Sequence, residues 1–319
     1  MNNIKYTFLL PAYKVLFFEE ALQSIKNQTY RDFKVIVSDD CSPENLKSIY
    51  DKVCGDDPRF IFRRNEENMG SKSLVSHWNM LVDMCDTEWL IMAGDDDVYE
   101  PTFLEEMDRL QVKYPNVDLL HARARVIDAE GEVVKLDSAY DEYVTQIEFL
   151  AFLGKIAHIE CVGNYLYRTS VLRERGGFVD LPLAWTSDTA TNNIISQNGC
   201  ATSQYFLFNF RISGNNITGI GNKIKEISKK KIEAVFIFDS YVKELFESLS
   251  AKTKLEHFQY QMALESQMRV VYTSFFYYSS SMSIKEMIRG IKYMKKRGYI
   301  KSKYDIYKIL SKWIYSKLK

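Results

Sequence analysis

Three consecutive aspartates, Asp95–Asp97, follow the apolar run EWLIMA and are the residues whose spacing most clearly suggests chemistry. Adjacent carboxylates repel one another, so they would be costly at the end of a buried strand without a cation. Mg²⁺ and Mn²⁺ prefer oxygen ligands, commonly bind one or two carboxylates, and leave positions for substrate phosphate. The triplet therefore predicts a divalent metal that holds a diphosphate. The alternative is a solvated acidic loop before the helix near Pro101, because acids favour helix N-termini.

A second acidic pair, Asp39 and Asp40, follows the apolar run FKVIVS. A carboxylate at the end of a strand accepts hydrogen bonds from ribose hydroxyls or a base N–H in nucleotide-binding folds. The pair therefore predicts contact with a nucleoside, while Asp95–Asp97 hold its phosphates. The alternative is an N-cap, in which Asp40 or Ser42 opens the helix that begins near Pro43.

Several other kinds of site lack sequence support. There is no GxxxxGK[ST] loop, and the GIG at 219–221 does not continue as GxGxxG, so ATPases and dinucleotide enzymes are disfavoured. The five cysteines are scattered without a CxxC pair, and the four histidines form no HExxH motif. Without a glycine cradle, neutralisation of a diphosphate must depend largely on metal, with a basic side chain as a further candidate. We therefore expect Mn²⁺ or Mg²⁺ as the cofactor.

The elements that must position these acids form an α/β pattern from Tyr6 to about Leu207. Short apolar runs (YTFLL, FKVIVS, FIFR and EWLIMA) alternate with helical stretches, which is typical of βα units around a largely parallel sheet. Ligands of such sheets bind beyond the carboxyl ends of the strands. We therefore expect Pro11-Ala12-Tyr13, which end the first run, to converge with Asp39, Asp40 and Asp95–Asp97 at one edge.

The formal net charge of zero hides two halves of opposite sign. Residues 1–222 carry 21 Lys and Arg against 33 Asp and Glu, whereas residues 223–319 carry 21 against 9. The segment 214–223, GNNITGIGNK, is rich in Gly and Asn and predicts a boundary. We therefore expect a domain over 1–222 and a basic helical region over 223–319.

Two basic amphipathic helices are predicted at the C-terminal end, over 284–297 and about 303–318. Their surplus of lysine suggests an anionic partner, and residues 284–319 could lie in a membrane interface. The alternative is that both apolar faces pack on the rest of the protein and the lysines are solvated. No apolar run approaches the ~20 residues of a membrane span. We expect a cytoplasmic protein, held peripherally at the inner face of the cell membrane if the helices bind lipid.

The motifs together resemble those of the inverting family 2 glycosyltransferases, which have the GT-A fold. The resemblance covers roughly residues 4–222, with the same order and similar spacing as in the family. It is carried by LLPAY (9–13), VIVSDDCS (35–42), Asn68-Met69-Gly70 with Asn79, AGDDDVYEP (93–101), and RERGGF (173–178) followed by Ser187-Asp188.

The resemblance implies a role for each matching residue. Asp39 and Asp40 would bind the nucleoside beside the Pro11-Ala12-Tyr13 loop, and Asp95–Asp97 would form the DXD motif. Of these three, Asp97 is the first choice of metal ligand, with Asp95 second, and Asp95 and Asp96 would also contact the nucleotide. Asp188 would be the catalytic base, and the alternative is a helix N-cap for TATNNIISQ. Apart from the resemblance, aromatic faces suit sugar rings, so we expect Trp185, three residues earlier, to contact the acceptor sugar; the alternative is a core position. The chain departs from the family at Gly94, where an Asp is common, and at Ser187, where a Glu is common.

The fold implied is a Rossmann-like, mostly parallel sheet flanked by helices, with a helical C-terminal extension. Its nucleotide-sugar half would span about 1–100 and its acceptor half about 101–222. The reaction implied is metal-dependent transfer of a sugar, with inversion, from a nucleotide-sugar (a UDP-sugar by family analogy) to a saccharide or lipid-linked acceptor of the surface-polysaccharide type. The alternatives are a nucleotidyltransferase acting on sugar phosphates, and an inactive scaffold that binds membrane or nucleic acid. The acidic cleft disfavours nucleic acid, and a homo-oligomer is left open.

Overall fold

The first strand shows how the sequence builds a sheet with two covered faces. In the computed structural model, which describes residues 4–152, 158–214, 225–249 and 253–318, β1 spans Tyr6–Ala12. Side chains of a strand alternate between the faces. Tyr6, Phe8 and Leu10 accordingly enter one hydrophobic core, and Leu9 enters the other. A strand buried on both faces is the arrangement expected of an α/β sheet.

The strands of the described residues form one ten-stranded sheet. Its order is β3-β2-β1-β4-β9-β6-β10-β5, with β7 paired to β6 and β8 paired to β10. Pairing is parallel from β3 through β4 and between β6 and β10, whereas β9 runs antiparallel between β4 and β6. The strands after β1 are β2 (Phe33–Asp39), β3 (Phe60–Arg64), β4 (Trp89–Met92), β5 (Val98–Tyr99), β6 (Leu119–Ile127), β7 (Val133–Leu136), β8 (Tyr143–Val144), β9 (Tyr165–Arg168) and β10 (Cys200–Arg211).

Helices cover both faces of this sheet, which confirms the predicted α/β fold with a helical C-terminal extension. Helices α1, α2 and α4 share a core with one face, and α3, α5 and α7 share a core with the other. The α-helices described between residues 4 and 214 are α1 (Phe18–Lys26), α2 (Leu46–Cys54), α3 (Leu74–Met84), α4 (Phe103–Lys113), α5 (Gln146–Phe152), α6 (Thr169–Glu174) and α7 (Ser187–Ile195).

The described residues of the basic region 223–319 form four further α-helices: α8 (Lys225–Ser248), α9 (Lys254–Tyr278), α10 (Ile284–Lys296) and α11 (Lys303–Leu318). The predicted helices over 284–297 and 303–318 are therefore present. Ser283 starts α10 with a reciprocal capping box to Glu286. The predicted boundary over 214–223 lies almost wholly outside the described residues.

The C-terminal helices pack on the α/β part of the chain, residues 4–214, and extend one of its two cores. Val235, Phe238, Phe275 and Met287 belong to the same buried cluster as residues of α3, α5 and α7. Gln267 of α9 is fully buried at this junction, where its Nε2 donates to the Leu150 carbonyl (3.0 Å). Its Oε1 accepts from Asn193 Nδ2 of α7 (3.3 Å). Helix α9 therefore braces the helix that carries Asp188.

The amphipathic faces of α10 and α11 are divided between packing and solvent. Met287, Met294 and Ile309 are buried in the shared core. Ile288 and Tyr307 are exposed, together with Ile284, Tyr304, Ile314 and Tyr315. Packing therefore uses most of the apolar face of α10 and the inner face of α11. Among the described residues, no helix combines the length and apolar character that crossing a membrane requires.

Replacing Gln267 with methionine is expected to lower the free energy of unfolding by about 1–3 kcal/mol. The change leaves the Leu150 carbonyl and the Asn193 amide buried without their partner. Urea denaturation of the full chain measures the loss. Gln259→Met is the matched control, because Gln259 also joins α9 to α5 but is partly exposed. Equal stabilities for the two variants would contradict a bracing role for Gln267.

Candidate active site

A cleft opens where β1, β2 and β4 end, and several predicted site residues line it. Its volume is about 400 Å³. Pro11, Ala12, Tyr13, Asp40 and Asp95 are in its wall, together with Lys14, Asn68, Gly70, Ser71, Leu74, His77, Trp78, Ala93, Gly94 and Val162. The structure thus brings together the loops after β1, β2 and β4, because parallel strands end at the same edge of a sheet.

Asp40 is held rigidly in the wall of the cleft. Its Oδ1 accepts from the Met69 N–H (2.9 Å) and from Asn65 Nδ2 (2.8 Å), and its Oδ2 accepts from the Gly70 N–H (2.7 Å). A Cβ at position 70 would lie 2.9 Å from Oδ2, so this approach requires glycine. His77 lies 3.6 Å away, and burial lowers the pKa of its imidazole. Asp40 is therefore a fixed acceptor beside the cleft, with a neutral histidine behind it.

Asp39 does not line this cleft, and its carboxylate is bonded to other residues of the protein. Its side chain is 1% exposed, forms an ion pair with Arg64, and accepts from the Ser42 N–H (2.8 Å). Arg64 also donates to the Ser42 carbonyl (2.9 Å). Asp39 and Arg64 thus shape the turn after β2, in which Cys41 has a left-handed φ of 55°. Of the two acids, Asp40 is the one that lines the cleft.

Asp95 joins the loop after β4 to the loop after β1. Its Oδ2 accepts from the Tyr13 N–H (2.8 Å) and the Lys14 N–H (2.9 Å). The next carboxylate, Asp96, lies 3.7 Å from the ammonium of Lys14. Asp95 therefore ties the two loops together, and the loop after β1 places a lysine beside the acidic triplet.

Asp97 is the buried member of the triplet. It is 6% exposed, and its Oδ1 accepts from the Arg211 N–H (3.0 Å). Burial, with the charge of Asp96, raises the pKa of Asp97 well above its ordinary value. A Cβ at position 94 would come within 2.6 Å of its Oδ2, which is a physical reason for Gly94.

The triplet is chemically suited to a hard divalent cation. Burial and the charge of Asp95 also raise the pKa of Asp96, so the carboxylates are crowded and short of compensating charge. Within the described ranges, no three His, Cys, Asp or Glu side chains are placed to ligate one ion. The carboxylates of Asp95–Asp97 therefore fit an ion that binds one or two carboxylates and completes its coordination shell with water and phosphate oxygens.

Asp188 lies in the first turn of α7, which follows a segment with a strained backbone. Leu183, Ala184 and Thr186 have left-handed φ values of 60°, 54° and 63°. Such backbone strain in non-glycine residues is concentrated at functional sites. Asp188 Oδ1 accepts from the Thr189 N–H (2.9 Å), and burial raises the pKa of Asp188 to about 6. A carboxylate with this pKa is ionised at neutral pH but is more basic than an exposed aspartate.

The segment 158–164 connects Asp188 to the cleft. Val162 lines the cleft, and the neighbouring Cys161 is close enough to both Asp97 and Asp188 for their charges to raise the pKa of its thiol. Glu160 in the same segment accepts from Thr189 Oγ1 (2.7 Å). The segment 158–164 therefore lies near both Asp97 and Asp188.

Trp185 packs against the C-terminal helices. Its ring meets Tyr278 edge-to-face at 5.7 Å, and the ammonium of Lys231 lies 3.9 Å from its ring centroid. Burial lowers the pKa of Lys231 to about 8. Trp185 is partly exposed, so part of the residue contacts the C-terminal helices while another part faces solvent.

Two residues of the site were missed by reasoning from the sequence. Arg211 is buried and donates through Nε to the Asp96 carbonyl (3.0 Å) and through Nη2 to Glu20 (2.6 Å). Glu160 is the only acid within the described part of the segment 158–164. Neither residue belongs to a motif, and only the pairing of distant strands and helices brings them to the site.

Comparison with known sequences identifies the family. Residues 7–176 match the profile of Glycosyl transferase family 2. Glycosyltransferase MJ1057 of Methanocaldococcus jannaschii is 28% identical over 37% of this chain and 40% of its own length. The GalNAc(5)-diNAcBac-PP-undecaprenol beta-1,3-glucosyltransferase of Campylobacter jejuni is 29% identical over 29% of this chain and 30% of its own. These matches span less than half of either relative.

Comparison with solved structures supports the same fold. The S. aureus TarS 1-349 structure in complex with UDP-GlcNAc has a TM-score of 0.68 at 16% identity, over 88% of this chain and 77% of that one. The mannosyltransferase PcManGT from Pyrobaculum calidifontis, in complex with GDP-Man and Mn²⁺, has a TM-score of 0.56 at 13% identity, over 98% and 88%. At such identities the likeness confirms the GT-A-type architecture alone. Because the family profile spans more than half of the 319 residues, the chain belongs to glycosyl transferase family 2.

Proposed function

We propose that this protein is a metal-dependent, inverting glycosyltransferase that moves a sugar from a nucleotide-sugar to a hydroxyl of a saccharide or lipid-linked acceptor. The observation that carries the proposal is that Asp40 and Asp95 line one cleft, and that Cys161, next to the cleft residue Val162, lies near both Asp97 and Asp188. Carboxylates of this kind suit the three tasks of the reaction: holding the nucleoside, neutralising the diphosphate and accepting a proton.

The donor would lie in the cleft between the loops after β1, β2 and β4. Pro11, Ala12 and Tyr13 form one wall, and Asp40 offers fixed oxygen acceptors to the nucleoside from the other side. Asp39 would act indirectly, by shaping the turn that carries Asp40. TarS and PcManGT were solved with UDP-GlcNAc and GDP-Man respectively, and a UDP-sugar is the first donor to test.

Asp97 and Asp95 are the residues that we propose hold the cation, with Asp96 beside the phosphates. Asp95 has one oxygen engaged by the Tyr13 and Lys14 amides, and Asp97 has one engaged by Arg211. The other oxygen of each carboxylate would then ligate the cation. When bound, Mn²⁺ or Mg²⁺ would neutralise the negative charge on the departing diphosphate. Lys14, half-exposed beside Asp96, supplies a further positive charge on the same side.

Asp188 would be the general base. The acceptor hydroxyl attacks the anomeric carbon from the side opposite the diphosphate, so one carbon–oxygen bond forms while the bond to phosphate breaks, with inversion. The hydroxyl proton passes to the Asp188 carboxylate, an effect worth roughly 10²–10⁴-fold in rate. The raised pKa of Asp188, about 6, makes it a stronger base while keeping it ionised at neutral pH.

The acceptor would approach past Trp185, which offers an aromatic face three residues before Asp188. The relative from C. jejuni is named as an enzyme that acts on an undecaprenol-linked saccharide. This supports, for our chain, a lipid-linked acceptor. No observation favours the nucleotidyltransferase or the inactive scaffold.

The outer faces of α10 and α11 would hold the protein peripherally on an anionic membrane at the cytoplasmic side. The supporting residues are those that packing leaves exposed. Lys285, Arg289, Lys292 and Lys296 form a basic stripe at helical spacing on α10, and Tyr304, Tyr307, Ile314 and Tyr315 form an exposed face on α11. Lysine with interfacial tyrosine is a combination suited to lipid headgroups. This proposal leaves the inner faces of both helices in the protein core.

Chelation with EDTA and the substitution Asp97→Asn are both expected to abolish release of UDP from a UDP-sugar in the presence of acceptor. Asparagine keeps an oxygen for the Arg211 N–H, so the fold is retained while the charge at the cation site is lost. The measurement is UDP release with and without added Mn²⁺, and Asp56→Asn is the control because Asp56 is exposed and remote. Full activity in EDTA would rule out the metal requirement.

Asp188→Asn is expected to lower turnover by at least about 10²-fold while leaving the affinity for donor unchanged. In the unchanged protein, turnover should fall tenfold per pH unit below about pH 6, because the pKa of Asp188 is raised to about 6 and the protonated acid cannot accept a proton. Steady-state kinetics and donor titration separate the two effects. Near-normal turnover by the variant would show that another group is the base.

Replacing Lys285, Lys292 and Lys296 with glutamine is expected to weaken binding to phosphatidylserine-containing vesicles by roughly 100-fold, at about 1 kcal/mol for each lysine. The same substitutions at Lys47, Lys52 and Lys72, which are exposed on the catalytic half, are the control. Vesicle sedimentation at fixed ionic strength gives the affinities. If both triple variants bind like the unchanged protein, α10 is not the contact.

A further inference from the structure

The indole of Trp185 is where the proposed acceptor side reaches the C-terminal helices. Trp185 lies between Ala184 and Thr186, which have left-handed φ values of 54° and 63°. Backbone strain of this kind persists only where the surrounding structure holds the segment in place. Within the described ranges, Trp185 Nε1 is buried and has no hydrogen-bond partner. Contacts of the ring, rather than a hydrogen bond from its N–H, therefore orient the indole.

Lys231 of α8 makes one of these ring contacts. The residue is fully buried, and its ammonium lies 3.9 Å from the ring centroid of Trp185 and 5.1 Å from that of Tyr278. The two rings meet edge-to-face, with an interplanar angle of 89°. One cation therefore lies against both aromatic rings, at the junction of α8, α9 and the segment before Asp188.

The ammonium of Lys231 is costly at this position and needs a physical reason. A buried charge loses its hydration, and an apolar side chain of similar length, such as methionine, would fill the same space without that loss. The attraction between a cation and an aromatic face is strongest where water is excluded. The pKa of Lys231, which burial lowers to about 8, leaves the group charged at neutral pH. The charge is therefore matched to the indole that it faces.

We propose that Lys231 is a positioning residue, which holds the indole of Trp185 in the orientation that receives the acceptor sugar. This inference rests on the proposed function, in which Trp185 contacts the acceptor. Lys231 is fully buried and would not touch the sugar itself. It would act through Trp185, which is partly exposed and leaves part of its surface for a pyranose ring.

The same contact links the acceptor side to the proposed base. Trp185 is three residues before Asp188, and the carbonyl of the next residue, Thr186, accepts from the Ala190 N–H (2.9 Å) in α7. A shift of Trp185 would therefore be passed to the start of the helix that carries Asp188. The described residues that line the donor cleft do not include Lys231. We therefore expect its loss to affect the acceptor and not the donor.

Fluorine NMR of the full chain labelled with 5-fluorotryptophan tests this role without turnover. The chain contains four tryptophans, and the signal that Trp185→Phe removes is that of Trp185. The probes are the methyl glycosides of glucose, galactose, mannose, N-acetylglucosamine and N-acetylgalactosamine, titrated at pH 7 with UDP and Mg²⁺ present. At least one probe is expected to move the Trp185 signal of the unchanged protein. Lys231→Met should weaken the affinity for that probe by roughly 10-fold.

Lys230→Met is the matched control, because Lys230 is the exposed neighbour on the same helix and should leave the glycoside affinity unchanged. Lys231→Leu is a second neutral variant, so either variant that folds carries the test. The affinity for UDP, measured by isothermal titration calorimetry, should be the same in all variants. The proposal is overturned by an unchanged glycoside affinity in the neutral variants, by a parallel loss of UDP affinity, or by a Trp185 signal that no glycoside moves.

Urea denaturation without ligand separates this inference from the proposed function. Lys231→Met and Trp185→Leu should change the free energy of unfolding non-additively, because the two side chains are in contact. Lys230→Met and Trp185→Leu should be additive. If the coupling and the glycoside effect are seen but no UDP-sugar is consumed, Lys231 stands as the residue that positions Trp185 and the transferase proposal fails. Sugar transfer with additive changes for Lys231→Met and Trp185→Leu would remove the role of Lys231 alone.

Discussion

The structure of the site is governed by the repulsion among carboxylates gathered at one edge of a sheet. A buried carboxylate is costly unless it is paired, hydrogen-bonded or neutralised. Asp39 is compensated by Arg64, and Asp40 by the amides of Met69 and Gly70. Asp96 and Asp97 are compensated only in part, and burial raises their pKa values. The residues whose charge the fold leaves least balanced are thus those best suited to a cation and a diphosphate.

The second half of the chain contributes to the site by bracing it. Helices α8 to α10 share a core with α3, α5 and α7, and Gln267 reaches α7 directly. Trp185 contacts both Lys231 and Tyr278, and it lies within the strained segment 183–186 that leads to Asp188. The basic region is therefore part of the architecture of the proposed acceptor side as well as a candidate lipid contact.

Much of the fold could be predicted from the sequence, because local patterns of apolar residues specify its strands and helices. The runs YTFLL, FKVIVS, FIFR and EWLIMA became β1 to β4, and both C-terminal helices begin at or next to the predicted residues. The convergence of the loops after β1, β2 and β4 followed from the rule that parallel strands share a carboxyl edge. The division of the amphipathic faces between core and solvent could not be predicted, because it depends on which helix packs against which.

The sequence by itself determined which residues could do chemistry: the acids at strand ends, their spacing, and the family to which they belong. Only the tertiary structure decided that Asp40 faces the cleft while Asp39 faces Arg64, that Trp185 packs on α8 and α9, and that Glu160 stands beside Asp188. The physical reason is that side-chain environment comes from contacts between residues far apart in the chain. Glu160 is 28 positions before Asp188, and the pKa of Glu160 is raised by burial and by the charge of that distant carboxylate.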